Sequence, residues 1–377
     1  MMHKTTFFPL GNADCCRIDL NDGRKMLFDY AHCRDPEDKE DLRIDLYAAL
    51  HEDLEAAGRD YFDVTAFTHA DDDHIKGATE FFYLEHANKY QGDGRVKINE
   101  LWVPAAMIVE ENLKEEAKVI RSEARYRLKL GKRIRVFSRP ERLKEWLEKE
   151  GIKLEDRKHL ITDAGQLVPG FNKMPNGVEF FVHSPFAKRV ENGLVDRNES
   201  SLIFHVTFNF NGQETKFMLI GDTTHEVLTE IVDVTKYHKR EARLQWDIFD
   251  VPHHCSYLAL GDERGKDKTE PVPNVKWLFE QGNRGGILVS TSRPIPDNDE
   301  DPQPPHRQAA NYYKERASKI GGDFAVTMEH PTEANPKPLV ITIDGSGATL
   351  KKLIITGGAA AGISRPAPRA GRDKYVF

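Results

Sequence analysis

A chain of 377 residues, 39% hydrophobic and 31% charged, has the composition of a soluble globular protein able to bury a large core. No run approaches the roughly 18 apolar residues of a membrane span, and "MMHKTTFFPLGNAD" has no signal-peptide core, which predicts a cytoplasmic protein with no membrane partner. The net charge of −7 excludes uniform attraction to nucleic acid, and Cys15, Cys16, Cys33 and Cys255 lack zinc-ribbon spacing.

The first 30 residues read as a hairpin: "TTFFPL", "CCRIDL" and "KMLFDY" are strands, with a turn at Asn21–Gly23. "EDLRIDLYAALHEDLEAAG" reads as a helix with an apolar face of Leu42, Ile44, Leu46, Leu50 and Leu54. The strand "FDVTAFTH" runs into three aspartates. A helix over "IKGATEFFYLEHANKY" and a strand over "KINELWVP" follow. Residues 105–160 read as a charged helical insertion. Beyond it come strands at "GVEFFVHSP", "SSLIFHVTFNFNG", "QETKFMLIGD", "DIFDVPHH", "GGILVSTS" and "PLVITID". Two strand-dense halves around a helical insertion predict an α/β fold, a four-layer αββα sandwich with two sheets face to face over residues 1–355. The Gly/Ala/Pro-rich tail 356–377 is predicted to be disordered or docked elsewhere.

Between Lys118 and Lys144 there are 11 Lys or Arg against Glu123 and Glu141, a local net of +9 that leaves −16 for the remainder. That segment is a candidate phosphate-contacting patch, with Arg125, Arg127, Lys132 and Arg133 as candidate contacts; the alternative is a solvated helix face.

The chemistry gathers in "FTHADDDHIKG". His69, Asp71, Asp73 and His74 lie within six residues at the end of an apolar strand. Carboxylates packed so closely repel one another unless a cation sits among them. A calcium loop does not fit, because Ile75 stands where the next oxygen ligand belongs. Later strands end in the same kinds of group, at Asp222 and at His253–His254, while "VDRNESS" presents Asn198.

At these residues the chain resembles the metallo-β-lactamase fold. "HADDDH" is similar to its HxHxDH signature with Asp71 at the second histidine, the form found in ComEC-type competence-protein hydrolase domains. The opening hairpin is similar as well, with Gly11, Asp14 and Asp29 at matching positions. So are "NESSLIF", "LIGD", "PPHRQ" and "VPHHCS", in which Cys255 replaces a glycine. The resemblance implies two divalent metal ions, zinc or manganese. One would sit on His69, Asp71 and a third group, the other on Asp73, His74 and His254, with Asp222 bridging. The oxygen-rich set shifts the preference toward manganese. Asn198 stands where many relatives have a histidine, and His183 lies upstream of it. Catalytic candidates are Asp73, His253 and His306, and Ser256 is either a substrate contact or a helix cap.

The implied activity is a metal-dependent hydrolase, a phosphodiesterase or nuclease using metal-activated hydroxide, with nucleic acid, DNA above all, as partner. A hydrolase of a small ester, lactone or phosphoester is the alternative, and a partner-binding module with a degenerate metal site is a second. A protein partner or a homo-oligomer stays open.

Overall fold

The computed structural model describes residues 2–174, 177–190 and 197–351; the predicted tail lies outside them. The chain opens with β1 (His3–Phe7), β2 (Cys16–Asp19) and β3 (Lys25–Phe28), then α1 (Leu46–Ala56) and β4 (Tyr61–Ala66). Short helices α2 (Asp72–Ile75) and α3 (Ala78–Phe81) lead into β5 (Lys97–Pro104). Next come α4 (Ala105–Val109), α5 (Glu115–Leu130), β6 (Ile134–Phe137), α6 (Glu141–Lys149) and β7 (Ile161–Thr162). The second half carries β8 (Val178–Ser184), β9 (Ile203–Phe210), β10 (Gln213–Ile220), α7 (His225–Tyr237) and β11 (Trp246–Val251). It continues through α8 (Pro273–Glu280), β12 (Gly282–Ser290), α9 (Arg307–Ile320), β13 (Asp323–Val326), β14 (Leu339–Asp344) and β15 (Gly347–Leu350).

One sheet has the order β15-β14-β1-β2-β3-β4-β5-β6-β7, parallel from β3 to β7; the other is β13-β12-β11-β10-β9-β8, parallel from β10 to β13. Three buried cores follow from this arrangement. Between the sheets Phe28 and Trp102 pack edge-on, and Trp102 meets Phe180 at 5.4 Å. Outside the first sheet Leu50, Leu54, Ile120 and Leu147 cover Phe62 and Leu101. Outside the second, Val227, Ile231, Phe279 and Tyr313 cover Phe249 and Leu288. Helix, sheet, sheet, helix is the four-layer αββα sandwich that the sequence predicts.

Three local readings need correction. The helix after the hairpin begins only at Leu46, because Asp45 caps it by accepting from the Ala48 amide at 2.9 Å; Leu42 is exposed. The helix predicted through "IKGATEFFYLEHANKY" stops at Phe81. Gly77 takes a left-handed φ of 79°, and Phe82 turns extended to bridge Val96, burying both phenylalanines. The insertion 105–160 is not purely helical either, since β6 extends the first sheet beside β5.

Candidate metal centre

The site forms where β4, β10 and β11 and the β1–β2 loop end on one edge of the sandwich. Asp29 organises it from below: its carboxylate accepts from the Thr68 amide at 2.7 Å, from Thr68 Oγ1 at 2.6 Å, and meets His74 Nδ1 at 2.8 Å. Thr68 Oγ1 also lies 3.1 Å from His69 Nδ1, and the Thr291 carbonyl lies 2.8 Å from His254 Nδ1. All three rings are therefore held through Nδ1, which leaves each Nε2 directed into the pocket.

Around those nitrogens the carboxylates converge. His74 Nε2 is 3.5 Å from Asp222 Oδ1 and 3.6 Å from Asp14 Oδ2; His254 Nε2 is 3.7 Å from Asp222 Oδ2 and 3.1 Å from Asp73 Oδ2. Ligand atoms of Asp14, His74, Asp222 and His254 all lie within 4.8 Å of one another, as do those of His69, Asp73 and His74. His69 Nε2, His74 Nε2, Asp14 Oδ1 and Asp222 Oδ1 are buried with no hydrogen bond among the described residues. Such groups are costly to bury unpartnered, whereas ligand bonds of about 2.0–2.2 Å to one cation would satisfy several at once. The donor set fits a divalent metal.

The electrostatics point the same way. Burial pushes the Asp14 carboxyl up to about 6, only partly offset by His254 and His74. Burial opposes protonation of His254 too, but Asp222, Asp14 and Asp73 outweigh it and lift the ring to about 10. His74 is likewise raised, by Asp29 and Asp222 against burial. Burial and the neighbouring His74 take His69 down to about 4. Without a cation the pocket thus draws protons onto two of its histidines.

The predicted residues separate into those the pocket gathers and those it does not. His69, Asp73, His74, Asp222 and His254 come together. Asp71 stands at the margin, 3.5 Å from His69 Nε2 through Oδ2 while Oδ1 accepts from Arg197. His253 Nε2 lies 3.7 Å from Asp222 Oδ2 and faces a cleft of about 730 Å³ that Asp73 and His254 also line. Asn198 opens the short turn Asn198–Ser200 immediately after Arg197.

Other candidates are committed to structure. Both ring nitrogens of His306 meet backbone, at the Tyr257 amide and the Pro302 carbonyl, and Ser256 Oγ caps the next turn by accepting from the Leu258 amide at 3.3 Å. His183 donates to the Arg243 carbonyl at 2.9 Å. Arg125 bonds the Ile108 carbonyl and Glu111, and Arg127 is buried against Glu123 at 2.6 Å. Arg133 pairs with Glu85, and Lys132 is exposed beside it. Arg127 also donates to the Ile98 carbonyl, and Ile98 pairs with Phe62 at the start of β4. At about 3.3 Å per residue, the six steps from Phe62 to Thr68 put that end on the order of 20 Å from the pocket.

Sequence reasoning left Asp14 out of the ligand set and gave Asp29 no role, although both lie in the recognised hairpin. Arg197, which bonds Asp71, and Glu110, which holds Arg197, carry no motif signal.

No family model and no curated protein matches the chain. Among solved structures it is similar to unliganded yeast PDE1 at 10% identity, over 86% of this chain and 96% of that one, with a TM-score of 0.38. It is also similar to the metallo-β-lactamase GOB-18 from Elizabethkingia meningoseptica, at 13% identity over 73% and 87%, TM-score 0.32. A long form RNase Z from yeast matches at 12% identity over 85% of this chain and 43% of that one, TM-score 0.31. None of the three assigns an activity to this chain.

Proposed function

We propose that the protein is a metal-dependent hydrolase of phosphodiester bonds. The convergence of Asp14, His74, Asp222 and His254, with unpartnered ligand atoms on the first three beside a cleft that His254 lines, carries this reading. His69, Asp71 and Asp73 would complete a dinuclear set, and the oxygen-rich donors suit manganese or zinc. A bound divalent cation supplies Lewis acidity there, activating water near neutral pH and offsetting charge on the attacked group. His253 is the cleft-facing imidazole. It is placed to hold or pass a proton at Nε2, a role that His306, tied at both nitrogens, cannot share.

The cleft favours a compact substrate over the flank of a long polymer. Its walls carry Asp38, Glu40, Asp41, Asp301 and Glu333 against Arg43 and Arg293, and those two arginines pair with Asp41 and Asp301. A polyanion would meet repulsion at that mouth, and the part of the basic segment around Arg127 and Arg133 lies at the other end of the strands. The motifs favour DNA, whereas the acidic cleft favours a small phosphoester or ester.

The test is hydrolysis of bis(p-nitrophenyl) phosphate, single- and double-stranded DNA, and RNA, each with Mn²⁺, Mg²⁺ or Zn²⁺, beside Asp73→Ala. Metal-dependent turnover of the small diester, reduced at least 100-fold by Asp73→Ala, is expected. Absence of turnover of any phosphodiester with every metal sinks the proposal.

A further inference from the structure

Asp71 stands apart from its neighbours in the metal loop. Its side chain is 36% exposed, its Oδ2 faces the unpartnered His69 Nε2, and its Oδ1 accepts from the Arg197 guanidinium. The same guanidinium makes two further bonds to Glu110 Oε1, from Nε at 3.0 Å and from Nη2 at 2.8 Å. Glu110 is itself fixed. It ends α4, its amide bonds the Ala106 carbonyl at 2.8 Å, and its own carbonyl accepts from Arg121 of α5. Arg125 braces the same turn through the Ile108 carbonyl at 2.8 Å.

We infer that Arg197, clamped by Glu110, is the positioning residue that aims Asp71 at a metal shared with His69. A histidine ligand takes its orientation from whatever its other ring nitrogen bonds, whereas a short carboxylate at a solvent margin needs a donor on its second oxygen. The arginine fork supplies that donor with fixed geometry. Glu110 resolves the obvious objection, that a guanidinium would repel a nearby cation. The Arg197–Glu110 pair is neutral as a unit, so Asp71 keeps its full charge toward the metal. Ligand atoms 3.5 Å apart, as in His69 and Asp71, can both reach one cation at about 2.1 Å. The helices of the insertion therefore act on the site through a chain of contacts from α5 to Glu110, Arg197 and Asp71.

This assignment rests on the reading of His69 and Asp71 as metal ligands, so metal binding itself is the readout. Zinc is titrated into the full-length, metal-free chain against a chromophoric chelator, for wild type, Arg197→Met, Arg197→Lys and Glu110→Gln. Wild type is expected to take two equivalents. Arg197→Met should weaken one of them by about 10–100-fold and leave the other within threefold. Glu110→Gln should weaken the same ion, and Arg197→Lys should recover only part, because an ammonium lacks the fork. Unchanged binding of both ions in Arg197→Met overturns the inference. So does tighter binding, which would mean that the guanidinium competes with a metal, and so does a wild type that takes one equivalent. Should Arg197→Met fail to melt cooperatively, Arg197→Lys and Glu110→Gln decide by the same criterion. A chain that binds both ions as expected yet hydrolyses nothing would refute the proposed activity and leave this assignment standing.

Discussion

The metal pocket and the basic helix α5 are both dense in charge, but they treat it in opposite ways. In the pocket, Nε2 of His69 and His74 and one oxygen each of Asp14 and Asp222 have no hydrogen bond among the described residues. Along α5 four of the five cations are engaged: Arg121 and Arg125 with Glu111, Arg127 with Glu123, and Lys129 with Glu150. Net charge along the sequence is the same kind of quantity in both places, and it points to a ligand only where partners are missing. The pocket asks for a cation from outside, whereas most cations of α5 already have counterions within the fold.

The largest effect that tests this contrast concerns Arg127. Glu123 is fully buried; burial works against its ionisation, and hydrogen bonds from His86 and Arg127 overcome it, taking the carboxyl down to about 2. Arg127→Met leaves that carboxylate without its arginine, and a loss of about 3–5 kcal/mol in urea unfolding is expected. Lys132→Ala, one turn away and exposed, should fall within about 0.5 kcal/mol of wild type. A loss under 1 kcal/mol for Arg127→Met would break the comparison, because the segment would then hold dispensable charge.

The pocket's side of the contrast is tested by pH. His254 holds its proton to about pH 10 in the metal-free protein, above the ordinary imidazole value of 6.5. A folded-state value raised in this way gives stability that is complete below 6.5 and lost as pH rises through 10. The melting temperature of chelator-treated protein should therefore fall between those limits, and that of metal-loaded protein should fall less. A cation must also displace the proton, so affinity should climb about tenfold per pH unit for each proton released. Calorimetry in two buffers of different ionisation enthalpy counts those protons. Metal affinity that does not change with pH would show that the histidines are not ligands.

How much of this was legible follows from the range of the interactions. The strands could be read because stretches buried on both faces leave apolar runs such as Leu101–Pro104, and "KINELWVP" marks β5 to the residue. Asp222 and the His253–His254 pair could be singled out because an apolar strand that stops at a carboxylate or imidazole is a local pattern. The end of the helix at Phe81 could not, since it depends on Phe82 reaching Val96, fourteen residues on. Nor could the Arg197–Asp71 contact, which joins residues 126 positions apart through a charge pair with no periodicity. The basic segment left a phosphate patch and a solvated face open because a sequence shows charges without showing which are paired. Arg127 finds Glu123 one helical turn away, but Glu85 and the Ile98 carbonyl reach it only through the fold.

The smallest effect lies at Cys255. His253, His254 and Cys255 have φ of 52°, 49° and 67°, three consecutive left-handed residues, none of them glycine. Backbone bonds hold the turn: the Ser256 amide to the His253 carbonyl at 2.9 Å, and the His306 amide to the Cys255 carbonyl at 3.0 Å. The conformation sends His254 inward and His253 toward the cleft, so this strain belongs to the pocket and has no counterpart in α5. A glycine at 255 relieves about 1–2 kcal/mol of left-handed strain. It also adds about 0.5–1 kcal/mol of backbone entropy to be lost on folding and gives up a buried thiol worth a similar amount. These terms nearly cancel, so Cys255→Gly should stay within about 1 kcal/mol of wild type. Cys255→Val, branched at Cβ in the same conformation, should lose more than that. Burial holds the Cys255 thiol well above its usual value, so iodoacetamide should leave it unmodified in the native protein. If Cys255→Gly instead removed metal binding while the fold persisted, the side chain would have a part in the site beyond filling a glycine's place.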